Sequence, residues 1–201
     1  ARSLPIKKAL DPDTIIALSM NGKPLPKGHG FPARLIVPGW YAMASVKWLR
    51  EIILRNGGEP FQGHFSVKKY VYFTETNGRL AAEPITNLKV KSFITNLRNK
   101  QRIEKGKPLA IEGKAWSGLG RITKVELDFG EGWKSASLVN NRLGRYAWIP
   151  WKFTWVPKRK GNTIIRVRAT DQKGNVQPEL PLVNLNLYGY NAIHQVEVKV
   201  R

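Results

Sequence analysis

His29, directly before Gly30, and Arg34, entering the apolar run Leu35-Ile36-Val37, carry groups that can hydrogen-bond an anion. Taken alone, a histidine before glycine reads as a loop residue and an arginine entering a strand as a solvated edge charge. Arg145, next to Tyr146-Ala147-Trp148, reads first as a surface arginine. The chain has no cysteine, which excludes disulfides, thiolate metal sites and cysteine nucleophiles within these residues. Its formal charge of +20 suits acidic surfaces: nucleic acid, anionic lipid, an acidic protein or a small anionic substrate. Residues 1–85 hold 12 Lys plus Arg against 6 acids and residues 86–201 hold 22 against 8, so the excess sits mainly in the second half.

The elements that must position these groups are short. With 13 prolines, 18 glycines and many brief apolar stretches, the 201 residues favour strands and turns over long helices, in one large domain or two small ones. No apolar run approaches the roughly 20 residues of a membrane helix. The opening Ala1-Arg2-Ser3-Leu4-Pro5 has neither an initiator Met nor a signal-peptide core and reads as a processed, cleaved or incompletely assigned start. Thr14-Ile15-Ile16-Ala17-Leu18 before Asn21-Gly22 predicts a short helix and then a loop. Residues 34–39 predict a brief buried strand stopped by Pro38-Gly39, and residues 46–54 a turn followed by a strand.

Residues 55–108 show little periodicity. Within them, residues 89–107 carry seven basic residues and one acid, which reads as a connection wrapping between domains. Beyond it, residues 109–116, 122–129, 164–169 and 196–200 alternate in polarity, and Gly130-Glu131-Gly132 and Asp171-Gln172-Lys173-Gly174-Asn175 are turn signals. Spaced strands with Gly-rich turns indicate a β-sandwich. Trp116, Trp133, Trp148 and Trp151 read as core or interface anchors.

Two stretches carry more than pattern. His29-Gly30-Phe31-Pro32-Ala33-Arg34-Leu35-Ile36-Val37-Pro38-Gly39-Trp40-Tyr41, with Met20-Asn21-Gly22-Lys23-Pro24-Leu25-Pro26 before it and Val46-Lys47-Trp48-Leu49 after it, resembles the molybdopterin-domain signature of sulfite oxidases and plant nitrate reductases. Gly113-Lys114-Ala115-Trp116-Ser117-Gly118 through Trp133, and Ala169-Thr170-Asp171 through Gln177-Pro178, resemble the dimerisation domain of the same family. Ile149-Pro150-Trp151 and Asn191-Ala192-Ile193 look closest to the bacterial sulfite dehydrogenases.

The resemblance implies a mixed fold: the C-terminal portion of an α+β molybdopterin-binding domain over residues 1–88, then an all-β immunoglobulin-like dimerisation domain over residues 89–201. It implies a molybdenum-molybdopterin cofactor, an anionic pterin dithiolene with a phosphate, which needs cations and backbone donors around it. By the same resemblance His29 and Arg34 contact the cofactor, Ser45, Val46 and Lys47 form the loop holding its pterin and phosphate end, and Arg145 is a candidate for the substrate anion. Two departures stand out. The cysteine that ligates molybdenum in the family has no counterpart here and is expected outside these residues, on an unseen N-terminal part or a partner chain. Leu18 stands where sulfite oxidases place a tyrosine lining the substrate site, and leucine donates no hydrogen bond.

The implied activity is oxidation of sulfite or a related sulfur oxyanion by oxygen-atom transfer, with electrons leaving for a cytochrome c-type acceptor. The expected assembly is a homodimer through the second domain, located in the periplasm. The alternative is a non-catalytic family member whose basic surface docks an acidic subunit of a larger complex. A nucleic-acid-binding β-domain ranks last, because the basic residues are scattered among strands and no DNA- or RNA-binding motif is present.

Overall fold

The computed structural model describes residues 1–57, 61, 63–76, 78–139, 144–181 and 186–201. These form two compact units, one within Ala1–Asn87 and Val183–Tyr188, the other within Leu88–Leu182 and Gly189–Arg201.

The first unit is built from short pieces. Helix α1 (Ile6–Ala9) precedes strands β1 (Ile15–Ala17), β2 (Ser19–Met20), β3 (Lys23–Pro24) and β4 (Arg34–Ile36); helix α2 (His64–Val67) then leads to β5 (Val71–Thr76) and β6 (Arg79–Pro84). β1 pairs antiparallel with β4, Ile16 opposite Leu35. β2 and β3 form a hairpin whose Asn21-Gly22 turn has φ of 53° and 76°, the left-handed pair that a two-residue hairpin requires. The helix expected at residues 14–18 is therefore strand β1, with Leu18 leading into β2. Ile15 and Ile16 are β-branched, and the run is too short for its period to separate helix from strand without the long-range partner β4.

The strand expected after residue 46 is also absent. Trp48 takes a φ of 52°, which breaks the extended path, and the segment is tied instead by Leu49 N–H to the Ala33 carbonyl at 2.8 Å. Part of the stretch 55–108, which shows little periodicity, is nonetheless regular: β5 and β6 pair antiparallel. Residues 58–60, 62 and 77 of that stretch lie outside the described residues.

The second unit is a two-layer β-sandwich. Its strands are β7 (Lys91–Ile94), β8 (Gln101–Ile103), β9 (Leu109–Trp116), β10 (Ile122–Asp128), β11 (Trp133–Ser135), β12 (Ser137–Leu138), β13 (Ile149–Trp155), β14 (Gly161–Asp171) and β15 (His194–Val200). One sheet has the order β11-β10-β14-β15-β8 and the other β12-β13-β9-β7. Among the described residues its ladders are antiparallel except that of β15 with β8.

The predicted alternation fills the core. Ile111 and Ala115 from β9, Ile165, Val167 and Ala169 from β14, and Val196, Val198 and Val200 from β15 are buried on one cluster with Trp151. Ile122 and Val125 both face inward although three residues apart, because the pairing of β10 with β14 slips between Ile122 and Lys124. The basic stretch at residues 89–107 is not a connection: it supplies β7 and β8, one to each sheet.

Close packing fixes two positions. Gly113 lies under Trp151, where an added Cβ would stand 2.1 Å from the indole and 2.2 Å from the Phe93 carbonyl. Gln177, 1% exposed, accepts from Ser92 N at 2.8 Å and donates to the Ala192 carbonyl at 2.8 Å.

On the outer face of the five-stranded sheet, Asp128 and Glu126 lie beneath Arg166 and Arg168, and both guanidinium groups cover Trp133, at 5.4 and 4.1 Å from its ring. Burial alone would raise the Asp128 carboxyl, but hydrogen bonds from Arg166 and from the Gly130 and Gly132 amides overcome it and hold the group below the usual carboxylate range.

Candidate functional site

The first unit gathers five of the predicted residues around one glycine. Lys27–His29 form a turn of 3-10 helix that ends at Gly30 with a φ of 113°, a conformation that favours glycine. A Cβ at Gly30 would lie 3.1 Å from Lys47 Cα and 3.2 Å from Arg34 Cβ, so the absence of a side chain lets residues 45–48 approach the head of β4.

That approach is held by backbone. Leu35 N–H donates to the Val46 carbonyl at 2.9 Å, Trp48 N–H to the Gly30 carbonyl at 3.3 Å, and Val37 N–H to the Ser45 hydroxyl at 3.1 Å. Residues 45–48 thus run as an irregular partner to β4, set in place by a second 3-10 turn at Ala42–Ala44. Ser45 and Val46 act in this structure through these positioning bonds.

The hydrogen bonds of Arg34 and Lys47 among the described residues run to carbonyl groups. Arg34 reaches the carbonyls of Ser45 and His29 at 3.4 Å each, and Lys47 Nζ donates to the Gly28 carbonyl at 2.7 Å. Among the described residues no carboxylate pairs with Arg34 or Lys47, while His29 and Lys47 are exposed and Arg34 is half-buried. Guanidinium, ammonium and imidazole groups brought around Gly30 from the 3-10 turn, β4 and the 45–48 segment, with no carboxylate paired to Arg34 or Lys47 among the described residues, form a donor set that fits a phosphate or an anionic ring system.

Sequence reasoning named the cluster but not Trp48, whose indole Nε1 donates to the Lys27 carbonyl at 3.0 Å and pins the 3-10 turn to the loop. Its left-handed backbone carries no signal in the residue type.

Leu18 is exposed between β1 and β2, and its carbonyl accepts from Leu25 N–H at 3.2 Å. Arg145 belongs to the second unit, where its exposed guanidinium lies 4.7 Å from the centre of the Tyr146 ring. Among the described residues no group of three or more His, Asp or Glu gathers as a metal would require. No described helix is long and apolar enough to cross a membrane.

Comparison with known proteins places both units. Residues 1–64 match the oxidoreductase molybdopterin binding domain, and residues 82–201 match the Mo-co oxidoreductase dimerisation domain. Human mitochondrial sulfite oxidase is 36% identical over 98% of this chain, and nitrate reductase [NADH] 1 of Phaseolus vulgaris 34% over 88%. The chain spans 39% of the first of these proteins and 23% of the second. The crystal structure of the sulfane dehydrogenase SoxCD from Paracoccus pantotrophus superposes with a TM-score of 0.82 at 32% identity, over 98% of this chain and 51% of the other.

Proposed function

Because this chain belongs to the sulfite oxidase family of molybdopterin oxidoreductases, we propose that it forms the C-terminal part of an enzyme that oxidises sulfite or a related sulfur oxyanion. The observation that carries the reading is the carboxylate-free cluster of His29, Arg34 and Lys47 around Gly30. When bound, the molybdenum-molybdopterin group supplies two-electron oxygen-atom transfer, with electrons then leaving singly for a c-type cytochrome.

The residues of this chain bind and orient. Arg34 and His29 offer donors to the anionic pterin, the guanidinium in a planar pair that fixes direction as well as charge. Lys47, which donates here to the Gly28 carbonyl, would be free to turn to the cofactor phosphate, and Ser45 and Val46 would hold the loop that carries it. Arg145, in the second unit, is kept as a candidate for binding an anion, and Leu18, in the first, cannot donate a hydrogen bond to an oxyanion.

The thiolate that ligates the metal comes, in this reading, from polypeptide other than these 201 residues. Supporting this, Ile15 and Ile16 on β1 are 50% and 49% exposed, and Ile52, Ile53 and Leu54 are 69–82% exposed. Adjacent residues of a strand point to opposite faces, so β1 offers apolar surface on both sides. The missing polypeptide would complete an α+β domain, while the second unit, an immunoglobulin-like sandwich, would make a two-fold dimer; the periplasm is the proposed location.

The test is molybdenum and pterin content per chain in the protein purified intact from its source, beside Arg34→Ala and Lys47→Glu. Near-stoichiometric content with a cysteine-bearing polypeptide, falling by at least about tenfold in both variants, supports the reading. Content unaffected by either variant removes the cluster from the cofactor site, and a wild-type protein without molybdenum overturns the oxidoreductase reading.

A further inference from the structure

Beyond the cofactor cluster, the sandwich has an opening between its two sheets. β9 runs from Leu109, paired with Trp155, to Trp116, and Leu88 enters the sandwich near that second end through a bond from Gly118 N–H. At the Leu109 end a cavity of about 360 Å³ lies beside Phe129, Phe153 and Trp155, with Lys134, Lys158 and Arg159 on its rim.

The floor is an extension of the core. Phe129 stacks on Trp155 with centroids 4.6 Å apart and lies 5.5 Å from Phe153, and all three pack against the buried cluster from its open side. The rim is cationic. Lys134 is bridged to Glu131 at 3.2 Å, whereas Lys158 and Arg159, both exposed, have no carboxylate partner among the described residues. A recess within the roughly 300–1,000 Å³ of ordinary ligand sites, with an aromatic floor and a rim on which Lys134 offsets Glu131 while Lys158 and Arg159 have no carboxylate partner among the described residues, is complementary to an apolar side chain flanked by carboxylates.

We infer that this end of the sandwich docks a segment of an acidic partner protein, its apolar side chain seated on Phe129, Phe153 and Trp155 and its carboxylates meeting Lys158 and Arg159. Nucleic acid fits less well, because Phe129 and Trp155 stack on each other and line a recess, whereas base stacking needs an open ring face. The inference is independent of the cofactor reading.

The test titrates the intact chain with a capped pentapeptide of glutamate and aspartate around a central phenylalanine. Affinity is read by calorimetry and the site by amide shifts of Gly130 and Thr163. The peptide is expected to move those amides, and Lys158→Glu with Arg159→Glu to weaken it by at least about tenfold. Replacing the peptide's phenylalanine by glycine is expected to cost a similar factor, and Lys173→Glu, at an exposed turn elsewhere, less than about twofold. No binding at millimolar peptide, equal weakening by Lys173→Glu, an equally tight glycine peptide, or a thymidine decamer displacing the peptide at the same amides would each overturn the proposal.

Discussion

Gln177 presents its side-chain amide to Ser92 as a neighbouring strand would. Its Oε1 accepts from Ser92 N–H at 2.8 Å and its Nε2 donates back to the Ser92 carbonyl at 3.3 Å. β7, which holds Ser92, is the edge of its sheet, so the two backbone groups facing away from β9 would otherwise be buried without partners. The same amide also accepts from Ala169 N–H on β14 and donates to the Ala192 carbonyl, which ties the two sheets together at this edge.

Gln177→Leu should therefore cost more than one hydrogen bond. It strands two buried N–H groups and two buried carbonyls, and a loss of about 2–4 kcal/mol is expected in urea denaturation of the chain. A loss under about 1 kcal/mol would mean that β7 finds other partners.

Gly113→Ala is expected to be as damaging for the opposite reason, an atom too many. The new methyl would have to displace both the Trp151 ring, 0% exposed in the core, and the β7 backbone at Phe93. Overpacking of this kind costs about 2–3 kcal/mol, and Gly113→Ala paired with Trp151→Leu should recover part of it. Thermal melts of the single and double variants distinguish the steric cause from loss of strand flexibility.

Acid should weaken the sandwich in two separate windows. Burial, and then repulsion from Lys91, hold His194 below its ordinary 6.5, and its Nδ1 accepts from Ile94 N–H at 3.3 Å. The neutral ring's contribution is present above pH 6.5 and is lost as pH falls below it, where the unfolded chain gains a proton that the fold resists. His194→Gln should flatten the melting temperature between about pH 7.5 and 5.5. Asp128, Glu126 and Asp171 are held below the ordinary carboxylate range, so their contribution disappears only at lower pH, as each folded group finally protonates.

The second unit should bring two chains together. Light scattering at micromolar concentration is expected to give twice the 22.8 kDa of one chain. A monomer at that concentration would count against a two-fold contact built by these residues alone.

The sandwich was legible because its strands obey the two-residue period: 109–116 coincides with β9, and 122–129, 164–169 and 196–200 fall on β10, β14 and β15. What alternation could not show was the slip at Ile122 or the buried carboxylates beneath Arg166 and Arg168, both of which depend on a partner strand. The first unit was much less legible. Its strand β4 was legible at residues 34–36, but its three-residue partner β1 gains its identity from that pairing; in the second unit β7, with only four residues, was hidden in a run of basic side chains. The cofactor cluster was found through the order of its signature residues, since a glycine at positive φ and a tryptophan pinning a turn leave no periodic trace.

The parallel pairing of β15 with β8 sets a schedule for synthesis. Val198 lies opposite Gln101, about a hundred residues earlier, and β15 stands between β14 and β8 in the finished sheet. On a ribosome β8 emerges long before the strand that will hold it, and β14 waits with one edge open. The sheet closes only when residues 194–200 have left the exit tunnel, so the nascent sandwich passes most of its elongation with an unpaired edge within reach of chaperones.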